Sequence, residues 1–280
     1  SDAEENDPLD VPIIPIFEAS EDALDPPHAH TENAFDDFNR ERLMPYKLSR
    51  NGPGIAIGDV DGDGRDDFFI GGATEHAGVL YRSTDEERFV KRVDAGVPSD
   101  TTREQMGSLL FDADSDGDLD LYIAHGSNEV EGEDPSLQDW LMTNDGSGNF
   151  SLDTTLLPTM HVSTASVVAG DYDEDGDLDL FVGGRCVPGL YPDLPHSFLL
   201  ENRDGRFIDV TEKVAPDARE AGMVTSALFS DFSGDGRIDL VIAGHWSGLR
   251  FLENDGGSRF VDRSATSGIV NESGWWHSLA

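Results

Sequence analysis

The sequence predicts an all-β protein built from repeated four-stranded units, and three observations carry that prediction. An acidic loop recurs four times, at 59–67, 112–120, 171–179 and 231–239. Each loop runs directly into a short apolar segment rich in β-branched or aromatic residues. Each unit then offers two further strand-like segments, in most units joined by a glycine turn. The first aspartates, Asp59, Asp112, Asp171 and Asp231, recur with a period of 53 to 60 residues, which marks a stack of equivalent units. Four strands per period is the pattern of a β-propeller blade.

The chain opens with an Asp/Glu/Pro-rich stretch, 1–12, that reads as a tether left after processing. A strand is expected at 13–18. Residues 20–50 then break the period as an insertion, with Pro26, Pro27 and a helical-looking segment over 32–43. His28-Ala29-His30 and Glu32 in that insertion are metal-ligand types at a weakly specific spacing. From residue 54 the units repeat in one order. First strands are expected at 55–57, 108–111, 166–169 and 226–229, each entering a loop. Second strands leave the loops. Third strands lead into Asn/Asp-Gly turns, a hairpin signal, near Gly146, Gly205 and Gly256. Fourth strands open on Phe89, Phe150, Phe207 and Phe260. Unit one departs from this, with Ser83-Thr84-Asp85-Glu86 where the glycine turn belongs. Trp275-Trp276-His277 resembles the start of a fifth unit, so the reading is a partial propeller of four blades from a longer chain.

The loops carry the chemistry. Loop three, Asp171-Tyr172-Asp173-Glu174-Asp175-Gly176-Asp177-Leu178-Asp179, has aspartates at positions one, three, five and nine and glycine at six. Alternating carboxylates in a tight turn aim several oxygens at one point, as Ca²⁺ with six to eight oxygen ligands requires. Two like charges about 4 Å apart repel by about 4 kcal/mol at an effective dielectric of about 20, so such a loop calls for a cation. An EF-hand is excluded, because position twelve should be a bidentate Glu and is Ile70, Ile123, Val182 or Ile242. The expected calcium ligands are therefore Asp59, Asp61, Asp63 and Asp67; Asp112, Asp114, Asp116 and Asp120; Asp171, Asp173, Asp175 and Asp179; and Asp231, Ser233, Asp235 and Asp239. The position-seven carbonyls of Arg65, Asp118, Asp177 and Arg237 join them. Ser233 gives loop four one carboxylate fewer.

Composition narrows the function. The formal charge is −38, with 57 Asp and Glu against 19 Lys and Arg, and Lys stands only at 47, 91 and 213. The loops hold only part of that acidity. A chain with so little to neutralise phosphates is not a nucleic-acid binder. Cys186, the single cysteine, makes no intramolecular disulfide and reads as a buried thiol. No apolar run reaches the length of a membrane span. Weak calcium loops suit a calcium-rich exterior, which predicts an extracellular or cell-surface protein.

The loops followed by Phe69-Ile70-Gly71-Gly72-Ala73 and Phe181-Val182-Gly183-Gly184 resemble FG-GAP repeats, the blades of the integrin α-subunit propeller, and bacterial VCBS-type repeats. Leu48-Ser49-Arg50-Asn51-Gly52-Pro53-Gly54, His30-Thr31-Glu32-Asn33 and the stretch from Gly184 to Pro192 resemble exported bacterial relatives of cartilage acidic protein. Those proteins often carry an ASPIC/UnbV domain after the propeller. The resemblance implies a calcium-stabilised propeller in extracellular binding or adhesion.

Blade topology puts the metal turns and the turns between strands three and four on one face. The connections between strands two and three lie on the other, where propellers commonly bind ligands. Arg185 and His245 each stand six residues after the last aspartate of their loops, so neighbouring blades should present them side by side, with His125 close by. With Tyr191 and Trp246 they form the candidate ligand site for a glycan or an extracellular protein. The expected function is a non-catalytic binding or adhesion module. The competing readings are a propeller-type polysaccharide-processing enzyme and a spacer for a domain absent from this chain. No nucleophile, zinc or phosphate-loop motif favours the enzyme.

Overall fold

Alternating side chains in each expected strand must face two neighbouring blades, and the structure is built that way. The computed structural model describes residues 23–86, 88–256, 259–269 and 273–280, so the expected tether at 1–12 and strand at 13–18 lie outside the described residues. Four antiparallel sheets follow one another in the chain, each with its strands in sequence order. Blade 1 comprises Ile55–Gly58, Asp67–Ile70, Val79–Ser83 and Phe89–Arg92. Blade 2 comprises Gln105–Phe111, Asp120–His125, Trp140–Asn144 and Phe150–Leu152. Blade 3 comprises Ser163–Gly170, Asp179–Cys186, Phe198–Arg203 and Arg206–Asp209. Blade 4 comprises Met223–Ser230, Asp239–Ser247, Arg250–Asn254 and Phe260–Asp262. Leu24–Asp25 adds to the outer edge of blade 1, parallel to Phe89–Arg92.

The core is a series of apolar layers, one between each pair of blades. Period-two alternation divides each strand between two layers. In blade 3, Leu180 and Val182 join the layer with Tyr122 and Leu141 of blade 2, while Phe181 joins the layer with Leu240 and Ile242 of blade 4. Phe69 and Leu80 of blade 1 pack with Leu121, Ile123 and Met142 of blade 2. The first strands of successive blades lie side by side at the inner edge. Glycine permits this approach: a Cβ on Gly107 would stand 2.4 Å from the Ala165 carbonyl oxygen. The four sheets form an arc that does not close into a ring among the described residues. Gly274–Trp275 pairs with the end of the second strand of blade 4, and the Trp276 amide donates to the Gly244 carbonyl. Gln105, at the start of blade 2, makes the same bond to Gly72 of blade 1, so this segment occupies the place of a next blade's first strand.

Two expectations are corrected. The helix expected over 32–43 is only Asp37–Arg40. A single turn is not self-supporting, and this one is held by tertiary bonds. Buried Asp37 accepts from the Leu48 and Ser49 amides and the Ser49 hydroxyl, and Glu41 accepts from the Tyr191 amide at 2.6 Å. The second correction concerns the second strands, which run past their glycines into what the sequence assigns to connections. His125 pairs with Gln105 and His245 with Met223, both across a bulge in the register. His125, Arg185 and His245 are therefore strand residues, and all three are buried.

Candidate metal centres and the plugged axial face

Each acidic loop is folded by its own carboxylates. The position-six glycines Gly64, Gly117, Gly176 and Gly236 have φ between 85° and 101°, a backbone that favours glycine. Their amides donate to Asp59, Asp112, Asp171 and Asp231 at 2.7, 3.1, 3.1 and 3.0 Å. Position-five carboxylates accept from the position-seven amides at 2.9–3.1 Å. Position nine is buried in every loop. One oxygen of Asp67, Asp120, Asp179 or Asp239 accepts the position-two amide, and the other accepts the amide of Ser83, Asn144, Asn202 or Asn254 at the end of the third strand.

Positions one, three and nine converge in three loops. Asp59, Asp61 and Asp67, then Asp112, Asp114 and Asp120, then Asp171, Asp173 and Asp179 each bring carboxylate oxygens within 4.8 Å of one another. Burial pushes Asp120 up to about 6 and Asp179 to about 7, against the lowering effect of their backbone bonds, with the adjacent aspartates adding to the rise. Oδ1 of Asp112 and Oδ1 of Asp118 are out of solvent with no hydrogen-bond partner. Orphaned, mutually repelling oxygens of this kind fit a hard divalent cation.

Loops one and four differ. In loop one the cation is partly internal: Arg82 pairs with Asp61 and, at 3.3 Å, with Asp63, and Arg65 also pairs with Asp63. The strand register puts Thr143, Glu201 and Glu253 at the position of Arg82 in the other blades. In loop four, Ser233 donates its amide to Asp239 at 2.9 Å and its hydroxyl to Asp231 at 3.4 Å. Burial raises Asp231, but the amides of Gly236, Gly234 and Asp235 outweigh it and leave that carboxyl below the usual range. Loop four is therefore expected to empty first when chelator is titrated in. Ser233→Asp should tighten it roughly tenfold by adding a fourth carboxylate. Calorimetric calcium titration of the two proteins checks this, and equal affinity of loops three and four would contradict it.

A residue type that sequence reading assigned only to turns does more. The side-chain amide of Asn144 in blade 2 donates to the Val60 carbonyl in loop one and to Leu119 in its own blade, at 2.8 and 3.0 Å. Asn202 in blade 3 bonds Ala113 in loop two and its own Leu178, at 2.8 and 3.1 Å. Asn254 in blade 4 bonds Tyr172 in loop three and its own Ile238, at 2.6 and 3.2 Å. Each asparagine thus clasps the acidic loop of the preceding blade. The signal was the Asn at the end of each third strand in blades 2–4, where blade 1 has Ser83.

On the opposite face, Arg185 and His245 do meet, with Arg185 Nη2 3.1 Å from His245 Nδ1. They are not open to a ligand. Arg185 and His245 both bond the hydroxyl of Tyr46, which the insertion lays over them, and Met44, Leu48 and Cys186 pack beside it. Burial, then the Arg185 charge, lowers His245 to about 4. Burial pushes the Cys186 thiol up to about 11. His125 stands apart: its ring faces the Gln138 carbonyl and Trp140, and burial lowers it to about 3. Tyr191 and Trp246 remain near the surface. Trp246 is 56% exposed, holds φ at +60° and donates its indole N–H to the Tyr191 hydroxyl at 2.6 Å. Trp275, 38% exposed, packs edge-on to it at 5.2 Å.

With this geometry in view, a family model described as an FG-GAP-like repeat matches residues 59–123 and 112–182. Residues 59–182 thus carry FG-GAP-like repeats, on a fold of the propeller type. The two FG-GAP matches cover loops one to three, the three whose carboxylates converge. The chain is 24% identical over 193 residues to cartilage acidic protein 1 of Xenopus tropicalis, covering 69% of this chain and 28% of that protein. It thus spans 28% of the length of the curated relative it matches. A solved structure of an Agrocybe aegerita lectin, described as recognising non-reducing terminal N-acetylglucosamine, has a similar fold. That likeness has a TM-score of 0.50 and 17% identity, over 76% of this chain and 51% of the lectin chain. No helix among the described residues is long and apolar enough to cross a membrane.

Proposed function

We propose that this chain belongs to an extracellular, calcium-binding propeller that acts as a non-catalytic binding module for glycans. The observation that carries the reading is the ledge of Trp246, Trp275 and Tyr191 on the face away from the acidic loops. An exposed tryptophan in the left-handed region of backbone space is costly, and such strain gathers at ligand sites. An indole whose N–H is already bonded offers its flat apolar face, the surface on which a sugar ring stacks. The lectin with a similar fold supports this choice of ligand class. The calcium ions would fix the loops on the other face, and the Arg185–Tyr46–His245 cluster would hold the ledge from beneath. Hard oxygen ligands and an acidic surface suit an environment where calcium is abundant.

The test is a panel of neutral and acidic glycans, read for binding and for product release. Trp246→Ala should weaken the selected glycan roughly tenfold, about 1.4 kcal/mol, without changing calcium-dependent melting. Normal binding by the variant would place the site elsewhere. Release of shortened sugars would make the protein an enzyme.

A further inference from the structure

The insertion that closes the axial face also builds a cleft beside blade 1. Residues 26–31 on one side and 71–72, 75–81 and 91–93 on the other enclose about 470 Å³. That volume lies within the range of roughly 300–1,000 Å³ typical of small-ligand sites. The groups on its wall run against the rest of the molecule. His28, His30 and His76, three of the eight histidines, line it together with Lys91 and Arg92, and Glu75 is the one acidic side chain among them.

His30 meets the Glu32 carboxylate at 2.7 Å, and the others are short of partners. Lys91, one of only three lysines, is in no ion pair among the described residues. Arg92 meets the neutral side-chain oxygen of Asn149 at 3.1 Å. Nε2 of His28 is out of solvent with no partner, while its ring stands edge-on to Tyr81 at 6.2 Å. Burial, then the charges of His30 and Lys91, depresses His28, so these basic groups share one local field. Glu75 holds a left-handed backbone at φ +76°, and its amide donates to Thr101 at 2.7 Å. The non-glycine residue is thus kept in a strained conformation at the wall of the cleft.

We propose that this cleft binds a sugar acid, meaning a polyhydroxylated monocarboxylate, either free or as the terminal uronate of a glycan. On the wall itself Lys91 and Arg92 against Glu75 leave one positive charge, which matches one carboxylate, and the Glu32 carboxylate is taken up by His30. Glu75 repels a bare anion but accepts hydrogen bonds from hydroxyls, and the histidines can donate or accept. This site is separate from the tryptophan ledge, and the proposal does not rest on that reading.

The test uses D-glucuronate, D-glucose, inorganic phosphate and a linear tri-uronate, with affinities read by calorimetry on the whole chain. Glucuronate should bind at least tenfold more tightly than glucose and than phosphate. Lys91→Glu, at an exposed position, should weaken glucuronate at least tenfold and leave the melting temperature in place. Trp246→Ala should leave glucuronate binding unchanged, so failure at one site is distinguishable from failure at the other. A tri-uronate that binds more tightly than glucuronate identifies the end of a glycan as the source, and equal or weaker binding identifies the free acid. No glucuronate binding, glucose binding as tightly, phosphate competing equally, or indifference to Lys91→Glu would each overturn the proposal.

Discussion

Chelation with EGTA should lower the melting temperature by about 15 °C or more, and calcium should restore it. Each of loops one to three brings three carboxylates within 4.8 Å of one another, the position-nine one buried in every case, a geometry that folding alone makes unfavourable. A ligand that binds only the folded form adds about 2.7 kcal/mol per site at one hundred times its dissociation constant. Two or three filled loops therefore contribute about 5–8 kcal/mol, a large share of the roughly 5–15 kcal/mol that holds a typical domain. At about 2–4 °C per kcal/mol the shift is large. Magnesium should restore little, because it demands a tighter octahedral site. An unchanged melting temperature in EGTA, with no calcium by elemental analysis, would refute calcium binding.

Asn202→Ala and Asn254→Ala should each destabilise the protein by about 3 kcal/mol, or roughly 6–12 °C in melting temperature. Both side chains are almost wholly buried, at 1% and 0% exposure. Each change strips two carbonyls of their donors, one in the same blade and one in the neighbouring acidic loop. The cost of an unsatisfied buried acceptor outweighs the net value of the bond that satisfied it. The position-nine aspartate uses only the asparagine's backbone amide, so the variants keep that contact. Thermal melts in saturating calcium measure the effect. A loss below about 1 kcal/mol would mean that water replaces the clasp.

Much of this molecule was legible because the repeat reports on itself. Four loops in one register disclosed the strand order, while the division of Leu180, Phe181 and Val182 between the two layers beside blade 3 emerged from the structure. Spacing predicted that positions one, three, five and nine converge, and in loops one to three the oxygens of positions one, three and nine come together. What stayed hidden involves contacts between segments far apart in the chain. Nothing near Arg185 announces that Tyr46, 139 residues earlier, covers it. Arg82 looks like an ordinary strand residue until the register sets it against Asp61 and Asp63. The insertion at 20–50 carries no repeat, so neither its plug nor its cleft could be read from periodicity. The helix expected at 32–43 failed for the same reason, since Asp37 is fixed by Ser49 and Leu48 rather than by its own turn.

The asparagine clasps all point the same way along the chain. Blade 2 grips the loop of blade 1, blade 3 that of blade 2, and blade 4 that of blade 3, so among the described residues loop four alone is gripped by no following blade. Loosening therefore has a polarity. Amide hydrogen exchange should be fastest in the loop of blade 4 and slow progressively toward blade 2, as expected when neighbouring units are coupled in a line. Under a pulling force the same coupling would apply, because opening a blade removes the asparagine that holds the loop of the blade before it.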